Sequence, residues 1–392
     1  MRDFRFQTPT KVYFGRNVNE NIGPELKKKK IRKVLLAAGG NSKNPNLLRL
    51  YRQVEDRIRE ADIEIVKFYG VKPNPSLAQA KEGIALAKQE KVDAVMAIGG
   101  GSTIDTAKCI AAGALYEGDV WDFYMGKEKI RRALPIYAVL TLSGTGSENN
   151  GNSVISDKES GIKKLLVSSH FYPQAAFVNP EIQMSVPDRV FSSCCFDAMC
   201  HVMEHYFDGG EAPEVSNAIA EALLRTFVSE VPRVLKNPGD IAARSAVMWA
   251  SSLALDGVPS IAGLGGKSGD WSSHNLETGL SIMKDSSHGA GLAVLFPAWL
   301  EYIKEDQIEK AARFAAEVFG IRDGSVSERA DAGIRALREF IASIGCPESL
   351  EEFGVTEEDI PRLVEIISVF TPMGRAKRLY EKDVERILRM AL

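Results

Sequence analysis

Between residue 33 and about residue 180, short apolar runs alternate with helical patterning, and this alternation restricts the segment to βαβ units sharing a parallel sheet. The runs are Val34 to Ala38, Ile63 to Phe68, Ala94 to Ile98, Ile136 to Leu140 and Ala176 to Val178. Two end in glycines, Gly39-Gly40 and Gly99-Gly100-Gly101, at the carboxyl ends of strands, where such a sheet receives a ligand. Past Val186-Pro187-Asp188 the pattern changes. Long amphipathic segments follow at 190–208, 214–235, 240–256, 306–319, 326–344, 359–371 and 381–391, with few β-branched runs between them. The expectation is an α/β domain over 1–187 and an all-α domain over 188–392.

A chain of 392 residues, 45% of them hydrophobic, can bury a core in each half. The net charge of -3 creates no field that would draw in nucleic acid or an anionic membrane, so neither is an expected partner. The N-terminus lacks the apolar run of a secretory signal, and no stretch reaches the roughly 20 apolar residues of a membrane span; a cytoplasmic location is expected. Cys109, Cys194, Cys195, Cys200 and Cys346 are odd in number and lack CxxC spacing, which suggests buried thiols rather than a disulfide framework or thiolate zinc site. The charge run Lys27 to Lys30, at the end of a predicted helix, complements the helix dipole and stays solvated.

The segment GGGSTIDTAK at 99 follows the most hydrophobic strand and opens a helix. Glycines there allow close backbone approach, and the first helical turn offers N–H groups to a phosphate. A tight turn would need one glycine, and three in a row favour phosphate binding. A second cluster, Thr141 to Asn149, follows another apolar strand and is rich in hydroxyls. Gly263 to Ser268 ends like a Walker loop, but Ile261 occupies the first glycine position and no strand precedes it, so that reading is rejected.

Of five histidines, His201, His205, His274 and His288 lie in the helical half, and His170 does not. Asp197 and His201, four apart, share one helix face. With His274 and His288 they form a carboxylate and imidazole set suited to iron(II) or zinc, although the Asp197 and His201 pair alone is a weak signal. His205 continues the same face, but Glu204 and Tyr206 beside it suggest an ordinary helix surface or interface, not a functional residue.

With these residues in place, the chain resembles the iron-containing (group III) alcohol dehydrogenases, particularly their butanol dehydrogenase and NADPH-dependent aldehyde reductase branch. GGGSTIDTAK at 99, TLSGTGSENN at 141, DAMCHVMEHYF at 197, WSSHNLETGLS at 271 and HGAGLAVLFPAW at 288 carry the likeness. The resemblance implies a dehydroquinate synthase-like fold, with a dinucleotide-binding α/β domain, a helical metal-binding domain and catalysis in the cleft between them. It implies Asp197, His201, His274 and His288 as ligands of one Fe2+ or Zn2+. Gly99, Gly100, Gly101 and Ser102 would hold the pyrophosphate, with Asp105 near the nicotinamide. Thr141, Leu142, Thr145 and Ser147 would line the cofactor, Lys164 would approach its ribose or phosphate, and Asn74 joins the cofactor set. The implied reaction is hydride transfer between nicotinamide C4 and a small primary alcohol or aldehyde held at the metal. A homodimer, using the segment Phe4 to Phe14, is also implied.

One departure stands out. Four residues after His274, where many members of the family carry a second histidine, this chain has Thr278, followed by Gly279 in place of an acidic residue. The resemblance implies that this histidine passes the alcohol proton toward solvent, so Thr278, standing in its place, is the catalytic candidate there and the proton route is left open. After the first predicted strand, Gly39, Gly40, Asn41, Ser42 and Lys43 include no carboxylate to repel a 2′-phosphate, so NADP(H) is expected over NAD(H). Two other readings are weighed: a catalytically retired dinucleotide- and metal-binding protein, and a metal-dependent lyase or cyclase of the same fold using NAD transiently.

Overall fold

The computed structural model describes residues 6–39, 44–210, 213–257 and 269–392, which divide into two compact units. Asn41, Ser42 and Lys43, the rejected Walker-like segment 263–268 and the start of the Phe4 to Phe14 segment lie outside the described residues.

Thr8–Val186 forms the first unit. In chain order it holds β1 (Lys11–Phe14), α1 (Ile22–Lys28), β2 (Lys33–Gly39), α2 (Pro45–Arg59), β3 (Glu64–Val71), α3 (Leu77–Glu90), β4 (Ala94–Gly99), α4 (Gly101–Gly113), α5 (Trp121–Tyr124), β5 (Ile136–Leu140), β6 (Asn152–Asp157), β7 (Ile162–Val167) and β8 (Ala175–Val178). Six strands make an all-parallel sheet in the order β1-β8-β5-β4-β2-β3. The inner strands β4, β5 and β8 are buried along their whole length, as a parallel sheet covered on both faces requires, which is why they read as unbroken apolar runs. β1 and the antiparallel pair β6 and β7 carry no such run, and the sequence expectation lacked all three. β1 is a four-residue edge strand, and its register comes from pairing with β8, not from its own pattern.

The three consecutive glycines have a packing explanation that the sequence did not suggest. A Cβ at Gly99 would sit 2.3 Å from Thr103 Oγ1, one at Gly100 would lie 3.1 Å from Leu142 Cβ, and one at Gly101 would sit 2.4 Å from Thr145 Oγ1. The glycines let the 141–145 loop lie directly against the start of α4.

The other unit comprises the described residues of 187–392 together with Phe6 and Gln7. Its helices among the described residues are α6 (Asp188–Tyr206), α7 (Glu214–Lys236), α8 (Ile241–Leu253), α9 (Ser272–Lys284), α10 (His288–Ile303), α11 (Ile308–Phe319), α12 (Val326–Ser343), α13 (Ile360–Ser368) and α14 (Glu381–Met390). α9 and α10 were missing from the amphipathic segments. From Gly289 to Leu300, α10 is buried throughout, with Pro297 inside it, so it has no polar face to create a period. Gly279 permits a close helix contact: a Cβ there would lie 2.5 Å from Ile367 Cγ1 on α13. The five cysteines are free thiols, four of them buried.

Candidate functional site

Three helices of the second unit converge on one carboxylate oxygen. α6 supplies Asp197 and His201, the third residue of α9 is His274, and the first of α10 is His288. The Nε2 atoms of His201, His274 and His288 stand 3.7, 4.0 and 3.7 Å from Asp197 Oδ1. The His201 and His274 rings stack with centroids 5.0 Å apart, and those of His274 and His288 are 5.3 Å apart. Asp197 and His201 are buried, whereas the His288 side chain is 30% exposed, so the cluster opens on that side.

The position of α10 depends on Gly289. A Cβ there would fall 1.9 Å from the Ser193 carbonyl oxygen and 3.2 Å from Asp197 Cβ. Only glycine lets the start of α10 approach α6 closely enough for His288 to reach Asp197.

Two buried glutamates, which the sequence reading did not assign, hold the imidazoles. Glu204, on α6, accepts from Trp271 N at 2.5 Å, Ser273 Oγ at 2.5 Å and His274 N at 3.3 Å, and its Oε1 is 3.1 Å from His274 Nδ1. It therefore caps the start of α9 from another helix, where Trp271 has a left-handed φ of 64°. Glu277, on α9, pairs through Oε2 with His288 Nδ1, while Ser281 Oγ donates to its Oε1 at 2.5 Å. Of the two alternatives for this stretch, helix surface is excluded and helix interface remains: Glu204 is fully buried, and the buried His205 ring stands edge-on to Trp271 at 5.2 Å. The available signal was a glutamate three residues after each of His201 and His274.

Burial pushes the His201 imidazole down to about 4, the Asp197 charge opposing the shift and the other two histidines adding to it. His201 is thus neutral near pH 7, as a ligand must be. Burial raises the Glu204 carboxyl to about 7, and its hydrogen-bond donors pull it back.

This donor set fits a divalent ion. Four donors bound ~2.0–2.2 Å from one tetrahedral ion stand roughly 3.3–3.5 Å apart. The three separations from Asp197 Oδ1, 3.7–4.0 Å, are slightly wider. Asp197, His274 and His288 have ligand atoms that all lie within 4.8 Å of one another, and His201 stands outside that tighter group, so a four-ligand site needs the His201 ring to move inward. His201 Nδ1 is buried with no hydrogen-bond partner among the described residues, so this ring is not already committed elsewhere. Thr278, one turn beyond His274, donates its hydroxyl to the His274 carbonyl at 3.0 Å and leaves no ionisable group at that position. His170 is exposed in the other unit.

In the α/β unit, Gly99, Gly100, Gly101 and Ser102 form the turn from β4 into α4, which starts without a side-chain cap. Thr141, Leu142 and Thr145 lie half-buried beside that turn. Gly39 ends β2 and accepts the Tyr51 hydroxyl on its carbonyl; Asn74 occupies a positive-φ turn; Lys164 is exposed on β7. Asp105 and Ser147 have partners within the protein: Ser147 Oγ donates to Asp105 Oδ1 at 2.6 Å, and Val154 N donates to Oδ2 at 2.9 Å. The unassigned residue in this motif is Lys108. Its fully buried ammonium lies 2.7–3.2 Å from five oxygens of Ser147, Asn150 and Asn152, tying the second loop to α4. Burial lowers its pKa to about 8 against the pull of Asp105.

Comparison with known proteins gives consistent matches. The model of the iron-containing alcohol dehydrogenases matches residues 9–180, and that of the C-terminal region of the Fe-containing alcohol dehydrogenase family matches 192–392. The NADH-dependent butanol dehydrogenase A of Clostridium acetobutylicum is 37% identical over 362 residues, covering 92% of this chain and 91% of the relative. The NADPH-dependent aldehyde reductase YqhD of Escherichia coli is 32% identical, with 93% and 92% covered. Among solved structures, an NADH-dependent butanol dehydrogenase A from Thermotoga maritima superposes with a TM-score of 0.95 at 40% identity, covering 100% of this chain and 99% of that one.

Proposed function

The chain belongs to the iron-containing alcohol dehydrogenase family, and from that premise we propose that it interconverts small primary alcohols and aldehydes using a nicotinamide cofactor and one divalent metal. The observation that carries the proposal is the convergence of three imidazole Nε2 atoms on Asp197 Oδ1. Asp197, His201, His274 and His288 would hold the metal, which when bound supplies Lewis-acid polarisation of the substrate oxygen. Iron(II) and zinc both suit this donor set.

In the proposed division of labour, the unit with the parallel sheet binds the dinucleotide and the helical unit binds the metal. The turn at Gly99 to Ser102 receives the pyrophosphate on backbone N–H groups, with Thr141, Leu142 and Thr145 beside it. Asp105, Ser147 and Lys108 keep that surface in shape. The hydroxyl of Thr278 is committed to a helix carbonyl, so the substrate proton leaves without a histidine at that position.

The lack of a carboxylate among residues 39–43 removes repulsion toward a 2′-phosphate, which supports use of NADP(H). The butanol dehydrogenases among the relatives are NADH-dependent and weigh against the expected preference, so acceptance of both cofactors is the proposal. A homodimer is proposed on the family resemblance alone. No helix among the described residues is long and apolar enough to cross a membrane.

The test is a chelator-stripped enzyme assayed for NADH or NADPH oxidation with short aldehydes after reloading with iron(II) or zinc. Metal-dependent turnover, lost in Asp197→Ala and His274→Ala, is the expected result. Cofactor and metal binding without turnover of any aldehyde or alcohol would favour the retired-protein reading.

A further inference from the structure

We propose that Glu204 and Glu277 are positioning residues that fix which nitrogen His274 and His288 present to the metal, so that the site is shaped before any ion arrives. The inference rests on the metal-site reading above.

Each glutamate serves a histidine on a different helix. Glu204 of α6 meets Nδ1 of His274 on α9, and Glu277 of α9 meets Nδ1 of His288 on α10. α10 closes the ring, because Gly289 packs its start against Ser193 and Asp197 on α6. Backbone N–H groups of Trp271 and His274, which can only donate, already point at the Glu204 oxygens, so Glu204 meets His274 Nδ1 as an acceptor. With Glu277 accepting from His288 in the same way, each pairing places the proton on Nδ1 and leaves the Nε2 lone pair facing Asp197. Both glutamates are completely buried, and they also accept from Ser273 Oγ, Trp271 N and His274 N for Glu204, and from Ser281 Oγ and Ser286 Oγ for Glu277. The hydroxyl and backbone donors hold the carboxylates in place, and the carboxylates hold the rings. His201 has no equivalent partner on its Nδ1 among the described residues, so two of the three imidazoles are oriented in this way.

The test uses the full chain in metal-free and zinc-loaded form. Zinc affinity is measured by competition with a chromophoric chelator for wild type, Glu277→Ala, Glu277→Gln and Glu204→Gln, alongside the cobalt(II) visible spectrum. Loss of such a partner costs about 10–100-fold in metal affinity. That loss is expected for Glu277→Ala, with a smaller one for the glutamine variants, which keep an acceptor oxygen. Long-range 15N NMR of histidine-labelled, metal-free wild type is expected to show His274 and His288 protonated on Nδ1. Zinc affinity within twofold of wild type in all three variants, or the Nε2–H form in the metal-free chain, overturns the proposal. If wild type takes up neither zinc nor cobalt, the metal-site reading fails instead. The NMR result decides the ring-orientation claim even if a variant does not fold.

Discussion

Gly289→Ala is expected to abolish the proposed metal binding while leaving both units folded. The new Cβ would start 1.9 Å from the Ser193 carbonyl oxygen and 2.6 Å from its carbonyl carbon, atoms of the α6 backbone that cannot swing aside as a side chain could. An ordinary carbon–oxygen contact needs roughly 3.3 Å, so α10 must retreat by about 1.4 Å. His288 is the preceding residue and would move with it. Metal–ligand distances tolerate only about ±0.2 Å, so His288 could no longer serve as the proposed ligand. Zinc affinity should fall by at least the ~10–100-fold that a missing outer partner costs. Overpacking costs about 1–3 kcal/mol, partly offset by up to about 1 kcal/mol from replacing a helical glycine. The net of about 0–3 kcal/mol lowers the metal-free melting temperature of a unit of this size by at most roughly 12 °C. The assays are chelator competition and metal-free calorimetry. Wild-type zinc affinity in the variant would refute the claim that this close approach sets the site.

Three further outcomes are expected. Lys108→Met leaves the buried oxygens around Ser147, Asn150 and Asn152 without their donor; at about 1–3 kcal/mol for each unsatisfied group, stability falls by several kcal/mol in chemical denaturation, and NADH binding weakens in fluorescence titration. Gly279→Ala drives a methyl into Ile367 and should destabilise the protein by about 1–2 kcal/mol net, whereas adding Ile367→Ala should cost less than the two changes summed; strict additivity in the double-mutant cycle would count against the contact. Burial holds the folded His205 imidazole down to about 3, against 6.5 in the unfolded chain, so below pH 6.5 the unfolded state binds a proton that the folded state does not. The His205 contribution is therefore present above pH 6.5 and lost as pH falls toward 3: urea midpoints of metal-free wild type should drop relative to His205→Leu between pH 7 and pH 4, and a constant gap would rule this out.

The inner strands were legible because a strand covered on both faces has to be apolar at every position, as in Val34 to Ala38 and Ala94 to Ile98. α10 was hidden for the same reason acting on a helix: with no wet side, HGAGLAVLFPAW has no period to detect. β1, β6 and β7 were hidden because pairing partners, not composition, make them strands. Gly99, Gly100 and Gly101 looked like a ligand signature, but Thr103 and Thr145 also exclude a side chain at Gly99 and Gly101, and Leu142 crowds Gly100.

For the site, the sequence by itself determined the donor types, the shared helix face of Asp197 and His201, and the absence of a histidine at Thr278. These are matters of residue identity and of helical spacing within one element. Which groups act together was decided only by the tertiary structure. Spacing would have paired Glu204 with His201 and Glu277 with His274, each three residues away, yet Glu204 holds His274 and Glu277 holds His288. Side chains three apart lie near each other on one helix, but a buried carboxylate points into the interface, and what it meets there depends on which helix packs against it and at what height. The glycine at 289 sets that height for α10, and its meaning appears only when α6 lies against it.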